Sequence, residues 1–457
     1  MRGARRATLP RHSEPHRNRS GLRRGVTSPM IERNGWLRIL RGNIGVMTIT
    51  QAMGMFARFM VFPYASLFVL SLGGDARQVG WINSLTPLAG LLMFPLGGYL
   101  ADHAGRVRLI VITGALSGLV YLCHITATSW HWIAIGGVLL GMGCIRFPAS
   151  SALIADSLAP DQRGKGIATM NTVAGAVAIV APYVAGALIE RLGVDLGMRL
   201  LYGYILVSYV AIALIQLRWL RETGEASSSH DWRDLRGVLR EVYGDIPGLW
   251  RCISPDQRRL GLTMLLGFVS NALVGPFWVV YAVERIGLST SQWGLVLLIE
   301  ALTRIVAYVP AGELVDRWGR RRPLLLSLAI STLAMPLFLW VSGFWGALAV
   351  RMAHAVAHAL MVTSASALMA DLTPREMRGR VMSALGRGTV LIGASAGGTG
   401  GPGLGFMITL PLMAASFSAG YLYEFSESLP WLIVTVLVAL AFGVILIGVR
   451  EPEVAER

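Results

Sequence analysis

Charged residues, cysteine and lysine are all scarce in this chain. Only 15% of its 457 residues are charged, whereas a soluble globular domain carries about 25%. Hydrophobic residues make up 54%, so the composition excludes a water-soluble enzyme, a disordered chain and a disulfide-rich secreted scaffold. The three cysteines show no CxxC or metal spacing and therefore support neither a disulfide framework nor a thiolate metal site. What remains is a membrane protein with several spanning segments.

Motifs of enzymatic and nucleotide chemistry are also missing. The chain has no GxxxxGK[ST] sequence, so it contains no ATP-driven pump. It has no HExxH sequence, and no arrangement of serine, histidine and carboxylate residues rises above chance. We therefore predict a protein that is not an enzyme and that needs neither a cofactor nor a bound metal.

Long apolar runs divide the chain into two sets of six predicted helices. A membrane-spanning helix needs about 20 apolar residues, and twelve runs of this length lie on the two sides of a polar stretch at 220–258. The predicted fold is all-α, with twelve transmembrane helices in two six-helix bundles at 42–219 and 259–449. The predicted helices are, in order, 43–71, 79–101, 107–127, 131–157, 166–189, 198–219, 259–284, 292–315, 323–342, 345–371, 381–424 and 430–449.

The polar stretch 220–258 is predicted to be a cytoplasmic linker that contains an amphipathic helix. Apolar residues recur in it at helical spacing, with Arg and Asp between them. We expect this helix to lie at the membrane surface or under the bundle and to tie the two halves together. Its apolar residues are Trp232, Leu235, Leu239, Val242 and Ile246.

Positive charge is distributed unequally between the two predicted sides of the membrane. The chain has 41 basic and 26 acidic residues, a net charge of +15, which in a soluble protein would suggest nucleic acid. With a cytoplasmic N-terminus, 32 basic residues fall in cytoplasmic segments and four in the opposite loops. Because basic residues collect on the cytoplasmic side, the excess charge predicts topology and no nucleic-acid partner. It places the tails 1–41 and 450–457 in the cytoplasm, at the plasma membrane.

The N-terminal segment has three interpretations that stay open. Residues 1–29 carry eight arginines and one acid, Glu14, without the apolar segment of a secretory signal peptide. They are a disordered cytoplasmic tail, the product of a start codon placed upstream of a true start at Met30, or an organellar transit peptide, which is also Arg-rich and acid-poor.

The two halves of the chain repeat the same residues at a near-constant offset. Such self-similarity predicts two copies of one structural unit in the same orientation. Gln78, Gly98, Asp102, Gly105 and Arg106 recur in the same order and at the same spacing as Gln292, Gly312, Asp316, Gly319 and Arg320. Asp156 and Arg163 recur, at an offset larger by a single position, as Asp371 and Arg378.

The repeated segments resemble the loop motif G-x-L-x-D-x-x-G-R-x-R of the major facilitator superfamily. The two copies are GYLADHAGRVR at 98–108 and GELVDRWGRRR at 312–322, each after the second helix of its half. The segments 155–166 and 370–381 resemble the helix 4–5 and helix 10–11 junctions of the same family. The resemblance implies a secondary transporter whose halves rock about a central cavity lined by helices 1, 4, 7 and 10.

The resemblance also implies a conformational latch at these turns. In the family, such latches form when the protein faces outward and break when it opens inward. Asp102 and Asp316 are then expected to pair across the halves with Arg378 and Arg163, although ordinary solvated turns are the alternative. The candidate latch residues are Gly98, Asp102, Gly105, Arg106, Asp156, Arg163, Gly312, Asp316, Gly319, Arg320, Asp371 and Arg378.

Glu300 is the one acidic residue predicted to lie at mid-membrane depth, where charged groups are costly and mark functional sites. It precedes Arg304 by four positions, so the two side chains are expected to share a helix face. Two interpretations stay open: the pair neutralises itself and is structural, or Glu300 is the carboxylate that couples transport to protons.

Arg58 and Arg146 are also predicted at mid-membrane depth, with no comparable acid in their own half. They must be balanced by backbone carbonyl groups, water, Glu300 across the cavity, or a bound anion. A structural hydrogen-bonding role and an anionic group of the substrate therefore compete as explanations.

Arg351, His354 and His358 follow one another along predicted helix 10. Histidines at positions i and i+4 are able to bind a metal, but no third ligand accompanies them. Packing or a polar cavity explains them most simply, and a proton relay is the next interpretation.

The predicted function is proton-coupled efflux of a small organic or drug-like molecule by a monomer in the lipid bilayer. Helix 5 contains VAIVAPYVAG at 177–186, a degraded match to the gxxxGPxxGG motif that the family's antiporters carry there, and GGTGGPGLG at 397–405 in helix 11 is closer to that pattern. Uptake or exchange of an organic anion is the alternative, favoured by the surplus of buried arginine. A non-transporting membrane sensor or scaffold is the alternative from another class.

Overall fold

The computed structural model describes residues 41–103, 105–223, 254–372 and 406–449. These ranges contain twelve long helices and no strand, which confirms the predicted all-α fold. Ten of the twelve are long and apolar enough to cross a membrane. The helices are α1 (Gly42–Ser71), α2 (Ala76–His103), α3 (Arg106–Ile125), α4 (Trp130–Asp156), α5 (Arg163–Leu192), α6 (Val194–Trp219), α7 (Pro255–Arg285), α8 (Thr290–Trp318), α9 (Arg321–Trp340), α10 (Gly343–Leu372), α11 (Phe406–Phe425) and α12 (Leu429–Gly448).

Some sequence predictions fall outside the described residues. They concern the linker helix, both tails, Arg378 and the Gly-rich segment 397–405. Of the long apolar run predicted at 381–424, the structure describes a helix that begins at Phe406.

Proline accompanies a local break in three of the spanning helices. A proline has no N–H group and its ring crowds the carbonyl of the preceding turn, which weakens regular α-helix at that point. Pro63 lies in a 3₁₀ turn of α1, and Pro276 lies in a 3₁₀ turn of α7. Pro182 follows the break in α5 between Ala178 and Ala181. The first helix of each half is thus interrupted in the same way.

The same four helix pairs pack in each half of the protein. In the first half, α1 packs against α5 and α6, α2 against α4, and α3 against α6. In the second half, α7 packs against α11 and α12, α8 against α10, and α9 against α12. The packing therefore reproduces the repeat seen in the sequence, as expected for two copies in the same orientation.

The two halves meet at the end of the bundle opposite to the linker, which we call the distal end. There α2 packs against α11 and α5 packs against α8. Glycines allow the close approach: an added Cβ at Gly186 would overlap the carbonyl oxygen of Thr290, and one at Gly420 would overlap that of Ala76. Backbone contact of this kind is typical of small residues between membrane helices. The distal end is therefore closed.

At the opposite end, which we call the linker end, the described parts of the halves pack less closely. An added Cβ at Gly98, Gly164 or Gly312 would meet no described heavy atom within 4 Å. These glycines lie at the linker ends of α2, α5 and α8, the helices whose other ends close the distal side. Among the described residues, the contact between the halves is thus concentrated at the distal end.

Candidate functional site

Glu300 on α8 and Arg351 on α10 form an ion pair inside the second half. The Arg351 Nη2 and Nε atoms both donate to Glu300 Oε2, at 2.6 and 2.9 Å. Arg351 has no exposed surface and Glu300 is 7% exposed. Charge-assisted hydrogen bonds of this length are strong, and the burial shields them from solvent. The pair holds α8 and α10 in register near the middle of the bundle.

Two indole rings complete the surroundings of Arg351. Its guanidinium carbon lies 4.4 Å from the ring centroid of Trp278 on α7 and 5.9 Å from that of Trp293 on α8. A cation over an indole face gains energy, and more so when it is shielded from water. The cation is thus stabilised by one carboxylate and two aromatic faces from neighbouring helices.

Arg304 forms the i, i+4 ion pair with Glu300 expected from the sequence, but it is the more distant of the two arginine partners of Glu300. Its Nη1 atom lies 4.0 Å from Glu300 Oε1, and its side chain is 30% exposed. The i, i+4 spacing brings the two residues to one helix face. Arg351 approaches from another helix and donates two hydrogen bonds to Glu300 that are shorter than the Arg304–Glu300 distance. Arg304 therefore retains guanidinium donors that Glu300 does not use.

His354 and His358 are buried on the same helix as Arg351. Their ring nitrogens make no hydrogen bond to any described residue. The edge of the Trp278 ring contacts His354 with a centroid distance of 5.8 Å, so the environment is aromatic. No group of three metal-ligating side chains occurs among the residues that the structure describes.

Arg58 on α1 and Arg146 on α4 converge on Tyr209 of α6. Arg58 Nη1 donates to the Tyr209 hydroxyl oxygen at 3.1 Å. The Arg146 guanidinium carbon lies 5.5 Å from the Tyr209 ring centroid and 5.3 Å from that of Phe147. Tyr121 packs edge-on against Tyr209, with the ring centroids 5.7 Å apart. The first half thus holds two cations around one phenol.

The loop motifs form the same turn in both halves. Gly105 and Gly319 have φ angles of +83° and +82°, a backbone conformation that favours glycine. Arg106 pairs with Asp156 of the same half, and Arg320 Nε lies 3.0 Å from Asp371 Oδ2. Each motif arginine therefore binds the acid at the end of helix 4 or helix 10 of its own half.

The predicted latch between the halves is not formed at Asp316. Asp316 is exposed and makes no ion pair with a described residue. Arg163, its expected partner, donates instead from Nε to the Ala155 carbonyl oxygen at 3.0 Å. Among the described residues, α5 contacts α8 through its distal part, Ala181–Leu192. The side chains of Asp102 and Arg378 lie outside the described residues.

Polar contacts between the halves occur at the distal end. Arg77 Nε lies 2.6 Å from Glu424 Oε2, which joins α2 to α11. The Glu190 carboxylate accepts hydrogen bonds from Ser289 Oγ at 3.0 Å and from the Ser291 backbone N–H at 3.2 Å. An anion at a helix N-terminus is favoured by the helix dipole. Glu190 on α5 thus caps α8 from the other half.

Sequence reasoning missed the partners that come from other helices. It selected Arg351 but not its contact with Glu300, and it selected Arg58 and Arg146 but not Tyr209. The distal glycines were also missed, although Gly80 and Gly294 repeat at the same offset as the loop motifs. Extending the repeat comparison to all glycines would have found this pair.

Twelve helices in two repeated bundles, with charged side chains at mid-membrane depth in each bundle, define a secondary membrane transporter. The sequence profile of the major facilitator superfamily matches residues 47–270 and residues 260–456. These matches span nearly the whole chain. The chain therefore belongs to the major facilitator superfamily, a family of multi-pass membrane transporters for small molecules, which confirms the predicted family.

Two bacterial proteins are among the relatives of this chain. The chain is 23% identical over 335 residues to the multidrug resistance protein MdtG of Serratia proteamaculans, covering 71% of this chain and 78% of that protein. It is 22% identical over 339 residues to the multi-drug resistance efflux pump PmrA of Streptococcus pneumoniae, covering 71% of this chain and 79% of the pump.

Solved structures share the fold. A bacterial homologue of the iron transporter ferroportin in an inward-facing state has a TM-score of 0.66 at 18% identity, covering 90% of this chain and 98% of that chain. A bacterial homologue of the human lysosomal transporter Spinster, inward-facing and unoccupied, has a TM-score of 0.65 at 15% identity, covering 92% of this chain and 99% of that chain.

Proposed function

We propose that the protein is a proton-coupled exporter of small organic, drug-like molecules in the plasma membrane. Membership of the major facilitator superfamily carries the transport function. The direction and the substrate class are supported by the relatives named as multidrug resistance and efflux proteins. Both loop motifs of the family are intact, as expected of a working transporter.

The transport cycle rests on rocking of two bundles, 42–219 and 259–449, joined by the cytoplasmic linker 220–258. The excess of basic residues at the linker end supports cytoplasmic termini. With this orientation the less closely packed end faces the cytoplasm, and the cavity expected between the halves is proposed to load a solute for export from that side. Each chain contains both halves of the cavity, so the transporter works as a monomer.

Glu300 is the residue proposed to carry the coupling proton. Protonation removes its charge and weakens both hydrogen bonds from Arg351. The released guanidinium then has to find another partner, which changes the contact between α8 and α10. His354 and His358 lie on α10 beyond Arg351 and are the proposed route of protons to the pair.

Transport into everted membrane vesicles tests this function. The vesicle lumen then corresponds to the outside of the cell, so we expect an acidic lumen to drive accumulation of an exported solute. The measurement is uptake across a panel of organic cations, anions and neutral drugs, with vesicles lacking the protein as control. Accumulation that persists after an uncoupler collapses the gradient would contradict proton coupling, and no accumulation of any solute would contradict export.

The latch residues are proposed to hold the linker end closed in the other state of the cycle. We expect Asp102→Asn and Asp316→Asn to slow transport several-fold while leaving expression largely intact, because each change removes the motif carboxylate at the linker end of a helix, and Asp316 is exposed. The measurement is initial uptake rate per folded protein in everted vesicles. Glu313→Gln is a matched control, since Glu313 is an exposed acid of the same helix as Asp316. Unchanged turnover in both aspartate variants would contradict the latch.

A further inference from the structure

Cations outnumber acids among the side chains near the middle of the described bundle. Four arginines are placed there, against the single carboxylate of Glu300. In the described range 41–223, the acids lie in loops or within the terminal turns of helices, far from Arg58 and Arg146. Buried charges of one sign need compensation. The acids of the first half are Asp75, Asp102, Asp156, Asp161, Glu190, Asp195 and Glu222.

Glu300 does not compensate the arginines of the first half. Two donors of Arg351 are already bound to one of its oxygens, and Arg304 lies 4.0 Å from the other. The carboxylate is therefore used within the second half. This removes one of the four partners that the sequence left open for Arg58 and Arg146.

Backbone carbonyl groups do not compensate these two arginines either. In the described residues, the Arg58 guanidinium donates to the Tyr209 hydroxyl, and Arg146 lies over the rings of Phe147 and Tyr209. Arg199, in the same half, is an arginine whose guanidinium group is bound by backbone carbonyl oxygens and a carboxylate. It donates to the carbonyl oxygens of Ile125 and Ala127 at 2.6 and 2.7 Å and pairs with Asp195. A guanidinium has five N–H donors, and most of those on Arg58 and Arg146 remain available.

The position of the two guanidinium groups suits an incoming ligand. Both arginine residues are partly exposed, so neither is sealed within the bundle. Tyr209 lies between them and is supported from behind by Tyr121. Gly114 also lies beside Arg146, since an added Cβ there would be 3.9 Å from Arg146 Nη1. Two cationic groups thus lie side by side against aromatic rings.

We infer that Arg58, Arg146 and Tyr209 form a subsite for one anionic group of the transported solute, such as a carboxylate, sulfonate or phosphate. The inference rests on the proposed transport function and narrows its substrates to amphiphilic anions. Two guanidinium forks match the planar or tetrahedral oxygens of such groups. The partly exposed ring of Phe147 provides contact for the apolar part of the same molecule.

A matched pair of ligands tests the subsite directly. The probes are 2-naphthoate and its neutral isostere 2-naphthamide, with equilibrium binding measured on the purified full chain in lipid nanodiscs. We expect naphthoate to bind more tightly than naphthamide. Arg58→Gln and Arg146→Gln should each weaken naphthoate binding about tenfold or more, the usual effect of losing a charged hydrogen bond, and leave naphthamide binding within about twofold.

Additional variants separate charge from structure. Arg58→Lys keeps the positive charge but loses the paired N–H donors of the guanidinium group. This variant should therefore bind naphthoate more tightly than Arg58→Gln. Tyr209→Phe removes a hydroxyl that already accepts from Arg58 and should retain naphthoate binding. Arg218→Gln is the control, because Arg218 is exposed at the linker end of α6, and it should change neither probe.

Three results would overturn the inference. The first is equal affinity of the unmodified protein for the two probes. The second is an equal decrease in affinity for both probes in the glutamine variants. The third is an equal decrease in affinity for naphthoate in Arg58→Lys and Arg58→Gln. Tighter binding of inorganic phosphate than of naphthoate would be a fourth such result, because it would assign the subsite to an inorganic anion and not to the solute. Binding is measured without a gradient, so its outcome is independent of the vesicle test of proton-coupled export.

Discussion

Glu300→Gln is expected to abolish gradient-driven accumulation of solute while leaving solute exchange between equal compartments intact. The amide is uncharged, like a protonated carboxyl group, and its oxygen still accepts a hydrogen bond from Arg351. Alternating access therefore continues, but the protein no longer takes up and releases a proton in each cycle. The measurements are accumulation under a pH gradient and counterflow of labelled solute without one, both in reconstituted vesicles.

A purely structural role of Glu300 predicts a different result. Removing one partner of a buried ion pair leaves the other charge uncompensated and costs about 3–5 kcal/mol. Glu300→Gln would then reduce the yield of folded protein, and combining it with Arg351→Gln would restore the yield by removing the unpaired charge. Glu313→Gln is the control, since its side chain is 64% exposed on the same helix.

The single variant also decides the coupling assignment. Full gradient-driven transport by Glu300→Gln would exclude Glu300 as the proton carrier. His354, His358 and charge movement linked to the solute itself would then be the remaining routes. Because the counterflow assay reports folded, cycling protein in the same preparation, loss of coupling is distinguished from loss of structure.

Gly186→Ala and Gly420→Ala are expected to prevent closure of the distal end and to stop transport. In each case the new methyl group would overlap a backbone carbonyl oxygen of the other half, from Thr290 or Ala76. A backbone atom does not rotate away as a flexible side chain does, so the helices have to separate. Overpacking of this kind costs about 1–3 kcal/mol, and it destabilises the closed state alone. The equilibrium should therefore shift toward a state that is open at the distal end.

Distance measurements between spin labels test this shift. Arg191 and Ser426 are exposed at the distal end, one in each half, and serve as labelling sites in a cysteine-free background. We expect longer distances in the two alanine variants. Gly175→Ala is the matched control on α5, because its added Cβ would meet no described atom within 4 Å, and alanine otherwise favours the helix. An unchanged distance distribution in both test variants, or an equal change in the control, would contradict the prediction.

Features repeated along the chain were accessible from the sequence. The loop motifs recur at one fixed offset, and the contacts of Gly80 and Gly294 at the distal end follow the same offset. Gly186 and Gly420 are separated by more than this offset. Their separation exceeds the repeat offset by a number of residues equal to the difference in length between two apolar runs. These are the run predicted at 381–424 and the shorter run predicted at 166–189. A duplicated sequence folds into duplicated packing because each copy buries the same apolar faces.

Ion-pair partners on two different helices could not be predicted from the sequence in this way. Local spacing pointed to Arg304 as the partner of Glu300, because side chains four positions apart share a helix face. Arg351 lies on a different helix and pairs more closely, since α8 and α10 pack against each other. Nothing in the order of residues states which faces of two distant helices will meet.

The membrane class, the two six-helix repeats and the family follow from the amino-acid sequence, because hydrophobic length and repetition are properties of the chain alone. The charged residues at mid-membrane depth were also found in the sequence, since burying them is costly in any arrangement. Which of these charges are paired became known from the folded arrangement of the helices: Glu300 pairs with Arg351, and Arg58 and Arg146 pair with no described acid. Pairing depends on the separation and rotation of packed helices, which arise from contacts between residues far apart in the chain.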